Sequence, residues 1–306
     1  MAFTAQDVKR LREMTNAGMM DCKKALSETD GDFDAAIAFL REKGLAAAAK
    51  KAGRVAAEGM VYVNVAECGT AVMVEDNSET DFVAKNEEFQ KFCAGLGQAI
   101  LENNPADVAA LAECKFPGSD LTVSQMQNEK VLTIGENIQI RRFVRLDNTM
   151  KNVAYVHGGG KIGVITRMAV EGIDMANAEL VTLGRDLGMQ AASMRPQWLK
   201  RDDVPAETLE AEKHILMQQT INEGKPEAVA QKIVMGRINK FYEENCLLDQ
   251  AFVKENKISV QKHVDAVAKE LGGKIAIEAS IRFEKGEGIA KREDDFAAEV
   301  AKMTGK

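Results

Sequence analysis

Gly158-Gly159-Gly160-Lys161 is the segment whose composition comes nearest to phosphate chemistry, because a glycine-rich loop can cradle phosphate oxygens with backbone N–H groups. The spacing G-x-x-x-x-G-K-[ST] is absent. Apolar runs on both sides, Val153 to Val156 and Ile162 to Met168, make the glycines a strand-to-strand turn rather than a loop ahead of a helix. His157, His214 and His263 have no metal-ligand spacing. Cys22, Cys68, Cys93, Cys114 and Cys246 contain no C-x-x-C pair and are odd in number, as expected of reduced thiols in a cytoplasmic protein. Glu75, Asp76, Glu79 and Asp81 are tempting cation ligands, but they lack the D-x-[DN]-x-[DN]-G spacing of a calcium loop. No nucleophile elbow or catalytic acid pair is recognisable. The residues therefore point to a non-enzyme with no cofactor and no metal site.

The most unusual stretch is Asn77-Ser78-Glu79-Thr80-Asp81-Phe82-Val83-Ala84-Lys85-Asn86, which joins a strand to a helix. Two readings of it stand open. Thr80 or Asp81 caps the helix, and Phe82, seven residues before Phe89, lies on its core face. Alternatively, an exposed loop presents a carboxylate beside an aromatic anchor, as hot spots of interfaces often do. Met19-Met20 is similarly divided between filling a small core and facing a partner. Adjacent helical residues point in different directions, so at least one methionine should be partly exposed, and soft thioether side chains suit a partner surface.

These residues must be positioned by an α+β chain of 306 residues, 45% hydrophobic and 28% charged. Residues 1–54 read as a three-helix module with its linker. Val8 and Leu11 form one stripe, Asn16-Ala17-Gly18 breaks it, and Met19 opens a second helix. Asp32 caps a third helix with Phe33, Ala36, Ile37 and Leu40 on one face and Gly44 just past its end. The alanine-rich segment 45–59 is expected to be a helical linker. Residues 55–148 read as strand, turn, strand, helix and a returning strand in IQIRRFVRL. The same order recurs in 149–197 and 248–284, returning in IAIEASIRF, which suggests two related α+β subdomains. The second copy is interrupted by 198–247, an antiparallel helical hairpin about Gly224-Lys225-Pro226. Leu209 and Leu216 form a seam on one arm, and Val229, Ile233 and Phe241 on the other. A C-terminal module, 285–306, ends in a short helix from Asp295 to Met303.

The net charge of −7 argues against direct nucleic-acid binding, and no apolar run approaches membrane-spanning length.

The stretch VKRLREMTNAGMMDCKKALSETDGDFDAAIAFLREKGLAAAAKKAGRVAAEG resembles the N-terminal module of the elongation factor Ts family. SETDFVAKNEEF, IGENIQIRR, HGGGKIGV, GKPEAVAQKIVMGRINKF and RFEKGEGIAKREDDFAAEV resemble later parts of that family, in order and over essentially the whole chain. Asn16 departs from the glycine usual there. The resemblance implies a guanine-nucleotide exchange factor for elongation factor Tu, binding its GDP-loaded and nucleotide-free forms. It implies a ubiquitin-associated-like N-terminal module touching the GTPase domain, with Arg12, Met19, Met20 and Lys23 as contacts. Thr80, Asp81, Phe82 and Val83 would enter beside the nucleotide and help dislodge magnesium. His157, Phe252 and Val253 would form the second contact surface, the C-terminal helix would dock too, and the helical hairpin would project or form a homodimer.

Overall fold

The structure, a computed structural model, describes residues 3–15 and 17–290. Asn16 and the expected helix from Asp295 to Met303 lie outside the described residues. The chain divides into two compact units, one holding the chain up to Tyr62, Val74–Val144 and the part from Glu284 on, the other Val63–Met73 and Arg145–Phe283.

The first unit opens with helices α1 (Ala5–Thr15), α2 (Met19–Glu28) and α3 (Phe33–Lys51). They enclose a small core of Val8, Leu11, Ala17, Cys22, Ala25, Leu26, Ala36 and Leu40. Asp32 caps α3 as its side chain accepts the Ala35 N–H at 2.9 Å. One expectation fails here. Gly44 does not end the third helix: it is buried inside α3, and a Cβ there would sit 3.3 Å from the Asn128 carbonyl oxygen. Helix α3 therefore runs on through half of the expected linker, because it has a second surface to pack on. Gly18, the N-cap residue of α2, has a φ of −59°, so the break before α2 needs no left-handed residue at that position.

Strands β1 (Glu58–Val65), β2 (Ala71–Ser78) and β3 (Gln139–Leu146) form a sheet in that order, with β2 central and buried along its whole length. Between β2 and β3 lie α4 (Asp81–Ala84), α5 (Glu87–Asn103), α6 (Val108–Glu113) and α7 (Val123–Ile134). The 3.6-residue stripe of α5 buries Phe89, Phe92, Cys93, Leu96 and Ile100, as its spacing requires. Helices α6 and α7, which periodicity alone did not mark, bring Phe116 into stacking with Phe92 at 5.7 Å and a surface for α3 to pack on.

The second unit repeats the plan. Strands β4 (Lys151–His157), β5 (Ile162–Glu171) and, far later, β8 (Lys274–Glu284) form a sheet in that order. The β4–β5 hairpin pairs His157 with Ile162, so Gly158–Lys161 is its turn. Helix α8 (Ala178–Met194) lies on β4 and β5. Then come α9 (Ala206–Asn222), α10 (Glu227–Asn245), the short strands β6 (Ala251–Phe252) and β7 (Glu255–Ser259), and α11 (Val260–Glu270). α9 and α10 pack on each other, with Pro226 at the start of α10. The seam of α10 differs from expectation: Ala230, Val234 and Ile238 are buried at i, i+4 and i+8, while Val229 is 46% exposed. The apolar stripe is turned by one residue because Arg237, bonded to the buried Thr220 and to Glu223 across the hairpin, sets how α10 faces α9.

α8 approaches β4 so closely that a Cβ on Gly184 would fall 2.4 Å from Val153 and one on Gly188 2.4 Å from Tyr155. In solution, Gly184→Ala should destabilise the protein by about 1–3 kcal/mol through overpacking, outweighing the ~1 kcal/mol that alanine adds to helix propensity. Urea denaturation tests this; an unchanged or raised midpoint would refute the close-approach account.

Candidate functional site

β2 delivers the chain to the unusual stretch. Glu75 is fully buried on β2, and both its oxygens are occupied. Oε1 accepts from Arg141 Nη1 at 2.9 Å, the Gly286 N–H at 2.8 Å and Asn77 Nδ2 at 3.2 Å, and Oε2 accepts from Arg142 Nε at 2.6 Å. Asp76, its neighbour on the opposite face, is also fully buried but has one contact, a long bond from Cys93 Sγ at 3.6 Å, and its Oδ1 has no partner. Burial pushes the Asp76 carboxyl up to about 8, against a small opposing effect of the Cys93 bond. The Cys93 thiol is raised too, first by burial and then by the Asp76 charge.

Beyond Ser78 the chain turns outward. Thr80 occupies the N-cap position of α4 but does not cap it. Its Oγ1 donates to Glu136 Oε1 at 2.6 Å and its backbone N–H to Glu136 Oε2 at 2.9 Å. Val83 is buried, and Phe82 is 78% exposed. The core-face reading of Phe82 is thus excluded. A four-residue helix cannot bury two consecutive residues, and Val83 takes the inner position. Asp81 pairs with Lys85 at 3.1 Å, and the Lys85 ammonium lies 5.8 Å from the Phe82 ring centroid. Asn86 then caps α5 by accepting the Glu88 N–H at 2.8 Å. Each of the four carboxylates that resembled cation ligands is bound to its own partner: Glu75 to arginines, Asp76 to Cys93, Glu79 to Arg54 and the Asn137 N–H, and Asp81 to Lys85. No group of three or more metal-type ligands occurs among the described residues.

The other expected contacts divide by unit. In the first, Arg12 on α1 and Met19, Met20 and Lys23 on α2 are exposed, Met20 to 72%. In the second, His157 is exposed at the end of β4, and its Nδ1 lies 3.1 Å from the Tyr155 hydroxyl. Val253 is 41% exposed, whereas Phe252, stacked on His263 at 4.1 Å, and Val83 are buried. The β6–β7 turn is held by a buried amide pair the sequence did not reveal. Gln190 Oε1 accepts the Val253 N–H at 2.8 Å, and its Nε2 donates to Gln250 at 3.0 Å. The same burial that stacks Phe252 lowers the His263 pKa.

Among the described residues no helix is long and apolar enough to cross a membrane.

Because Asp76 keeps its proton in the folded state up to about pH 8 and loses it near 4 when unfolded, it favours the folded state most at low pH. Its contribution should decline as pH rises from about 4 to 8. Asp76→Asn, close in shape to the neutral acid, should flatten that decline and raise the urea midpoint at pH 8 relative to wild type. Parallel pH profiles for the two proteins would contradict the assignment.

A family model described as elongation factor TS matches residues 79–287. Proteins named elongation factor Ts are similar over nearly the whole chain. That of Syntrophotalea carbinolica is 49% identical over 99% of this chain and 100% of its own length. That of Clostridium perfringens strain SM101 is 50% identical over the same shares, and that of Trichlorobacter lovleyi is 47% identical over 100% of this chain and 99% of its own.

Proposed function

Since the chain belongs to the elongation factor Ts family, a family of translation elongation and protein biosynthesis, we propose that it is a guanine-nucleotide exchange factor for elongation factor Tu. The observation that carries this reading is Phe82, 78% exposed at the tip of a turn whose base is buried and hydrogen-bonded. A large aromatic held in water gains nothing for its own fold and is suited to enter a partner. A GTPase holds GDP largely through its magnesium ion and the groups around the phosphates. A wedge that displaces that ion weakens the nucleotide without any covalent chemistry. Asp81 beside the ring adds a negative charge that disfavours phosphate oxygens at the same place. Because coupling between two ligands is reciprocal, a factor that prefers the empty GTPase expels GDP, and GDP expels the factor to the same degree.

The same proposal covers the remaining assignments. Arg12, Met19, Met20 and Lys23 on a ubiquitin-associated-like module (residues 1–54) supply a second contact, and His157 and Val253 a third. The core subdomains, 55–148 and 149–197 with 248–284, carry these surfaces, and 285–306 adds a C-terminal module. The hairpin, 198–247, is the place for a second copy of the chain; Ile215, Val229 and Met235 leave apolar surface exposed on its arms. The protein acts in the cytoplasm.

Phe82→Ala should slow GDP release from elongation factor Tu by about tenfold or more, as loss of a hot-spot aromatic does. Its melting temperature should stay unchanged, since a surface truncation costs within about 0.5 kcal/mol. Undiminished release would remove the wedge. Raising free magnesium should weaken binding of the factor to the GDP-loaded GTPase, and this antagonism should shrink in Phe82→Ala. Affinity indifferent to magnesium in both proteins would leave exchange without a metal step.

A further inference from the structure

The turn that carries Phe82 cannot orient the ring by itself. α4 is four residues long, far below the length at which a helix holds its own shape. Phe82 is exposed, so packing does not fix it, and Val83 is the turn's single buried side chain. Local bonds, Lys85 to Asp81 and Gln90 Nε2 to the Ala84 carbonyl, hold the far side of the turn, and its near side is held from 56 residues away. Gly135, with φ of 88°, ends α7 in a left-handed conformation that swings the next residue, Glu136, toward the end of β2. Glu136 then grips Thr80 with both oxygens, at 2.9 Å to the backbone N–H and 2.6 Å to the hydroxyl. The grip is returned: Glu79 accepts the Asn137 N–H at 2.7 Å. Asn137 is buried, and its side chain donates to the Arg54 carbonyl at 2.8 Å. Ser78 Oγ also donates to the Thr80 carbonyl at 2.9 Å. Residues 79–80 and 136–137 therefore exchange carboxylate bonds in both directions, directly below the exposed ring.

We propose that Glu136 is a positioning residue for exchange: by clamping Thr80 it sets the direction in which the Phe82 ring projects. The inference rests on the exchange reading above. It assigns to Glu136 no contact with the partner. Two geometric facts separate it from a general stabilising role. Thr80 gives up capping its own helix to reach Glu136, and the clamp fastens the residue immediately before the exposed pair.

The test combines a measurement without the partner and one with it. In Glu136→Ala, hydrogen–deuterium exchange of the backbone amides of residues 81–86 in the free protein should accelerate while that of α5 does not. The maximal rate of GDP release at saturating factor should fall by about tenfold, as displaced functional groups typically cause, with the half-saturating concentration unchanged. Glu136→Gln should restore most of the rate, since its amide can accept from the Thr80 N–H and donate to the hydroxyl. In the Phe82→Ala background, Glu136→Ala should slow release no further, because both act through one ring. If Glu136→Ala fails to fold, Thr80→Val, which deletes only the hydroxyl bond, carries the same measurements. Unaltered amide exchange in the turn overturns the proposal whatever the release rate. So does accelerated amide exchange with release unchanged, or with a loss that adds to that of Phe82→Ala. Should Phe82→Ala itself leave release unchanged, the wedge reading and this inference fall together. A slow Phe82→Ala with a normal Glu136→Ala overturns this inference alone.

Discussion

The saturated carboxylate of Glu75 is the interaction on which the first unit is built. A charge buried at the centre of a sheet is tolerated only when every lone pair finds a donor; removing one partner of such a pair typically costs about 3–5 kcal/mol. Here two arginines of β3, an amide of β2 and a backbone N–H of the segment after β8 converge on it. They fix the lateral position of β3 and the 286–287 segment against β2, and they do so at one end of a strand that is buried throughout. From Glu75 the chain reaches Thr80 in five residues and the exposed ring in seven. An aromatic held in water needs a rigid base, and the base is this ionic knot together with the Glu136 clamp.

Asp76 shows the opposite solution one residue away. Successive strand residues face opposite sides, so Glu75 meets the arginines while Asp76 meets Cys93 of α5 in an apolar layer. Without a cation nearby, the acid stays neutral instead of being paired. Two adjacent carboxylates of one strand thus meet opposite surroundings, two arginines on one face and an apolar layer on the other. The arrangement leaves the side toward α5 uncharged, which suits the apolar stripe that this helix buries.

What could be read in the sequence follows the range of the forces involved. Local periodicity revealed α1, α2, the stripe of α5, both hairpins and the returning strands, because 3.6- and 2-residue patterns are written in neighbouring residues. Asp32 as a cap was legible for the same reason. Gly44 was misread because a glycine after an apolar stripe ends a helix unless a distant surface, here the backbone of Asn128, continues to support it. The stretch about Phe82 stood out as unusual, yet its core-face reading failed because the helix is four residues long and turns Val83 inward, and the tie of Thr80 to Glu136, 56 residues away, is contained in no local rule. Gln190, which holds Val253, and Phe252, which proved buried, escaped for the same reason: their roles are set by partners far along the chain.

The two sheets follow one strand plan, and their strand-to-helix connections differ. In both, a hairpin is followed by a helix and a strand that returns to the sheet. In the second unit the strand-to-helix connection is closed by short-range bonds, Asp174 accepting the Ala176 N–H and Asn177 the Glu179 N–H, each at two residues' distance, with one tie from the neighbouring strand, Lys151 Nζ donating to the Met175 carbonyl at 2.7 Å. Such Asx-type closures satisfy the backbone at little cost in chain length and present no aromatic ring. In the first unit the equivalent connection keeps the same local closure at Asn86, which accepts the Glu88 N–H, but at Thr80 it gives up local capping and takes a carboxylate from another loop. A long-range tie is the costlier way to build a turn, since it requires the α7 end, the Gly135 conformation and the buried Asn137 to be in place first. Its effect is to hold an apolar side chain out in water, where local capping alone would leave its direction loose. The strand order is shared by the two sheets, and the departure at residues 79–82 and 136–137 is where an aromatic ring stands exposed above a long-range carboxylate tie.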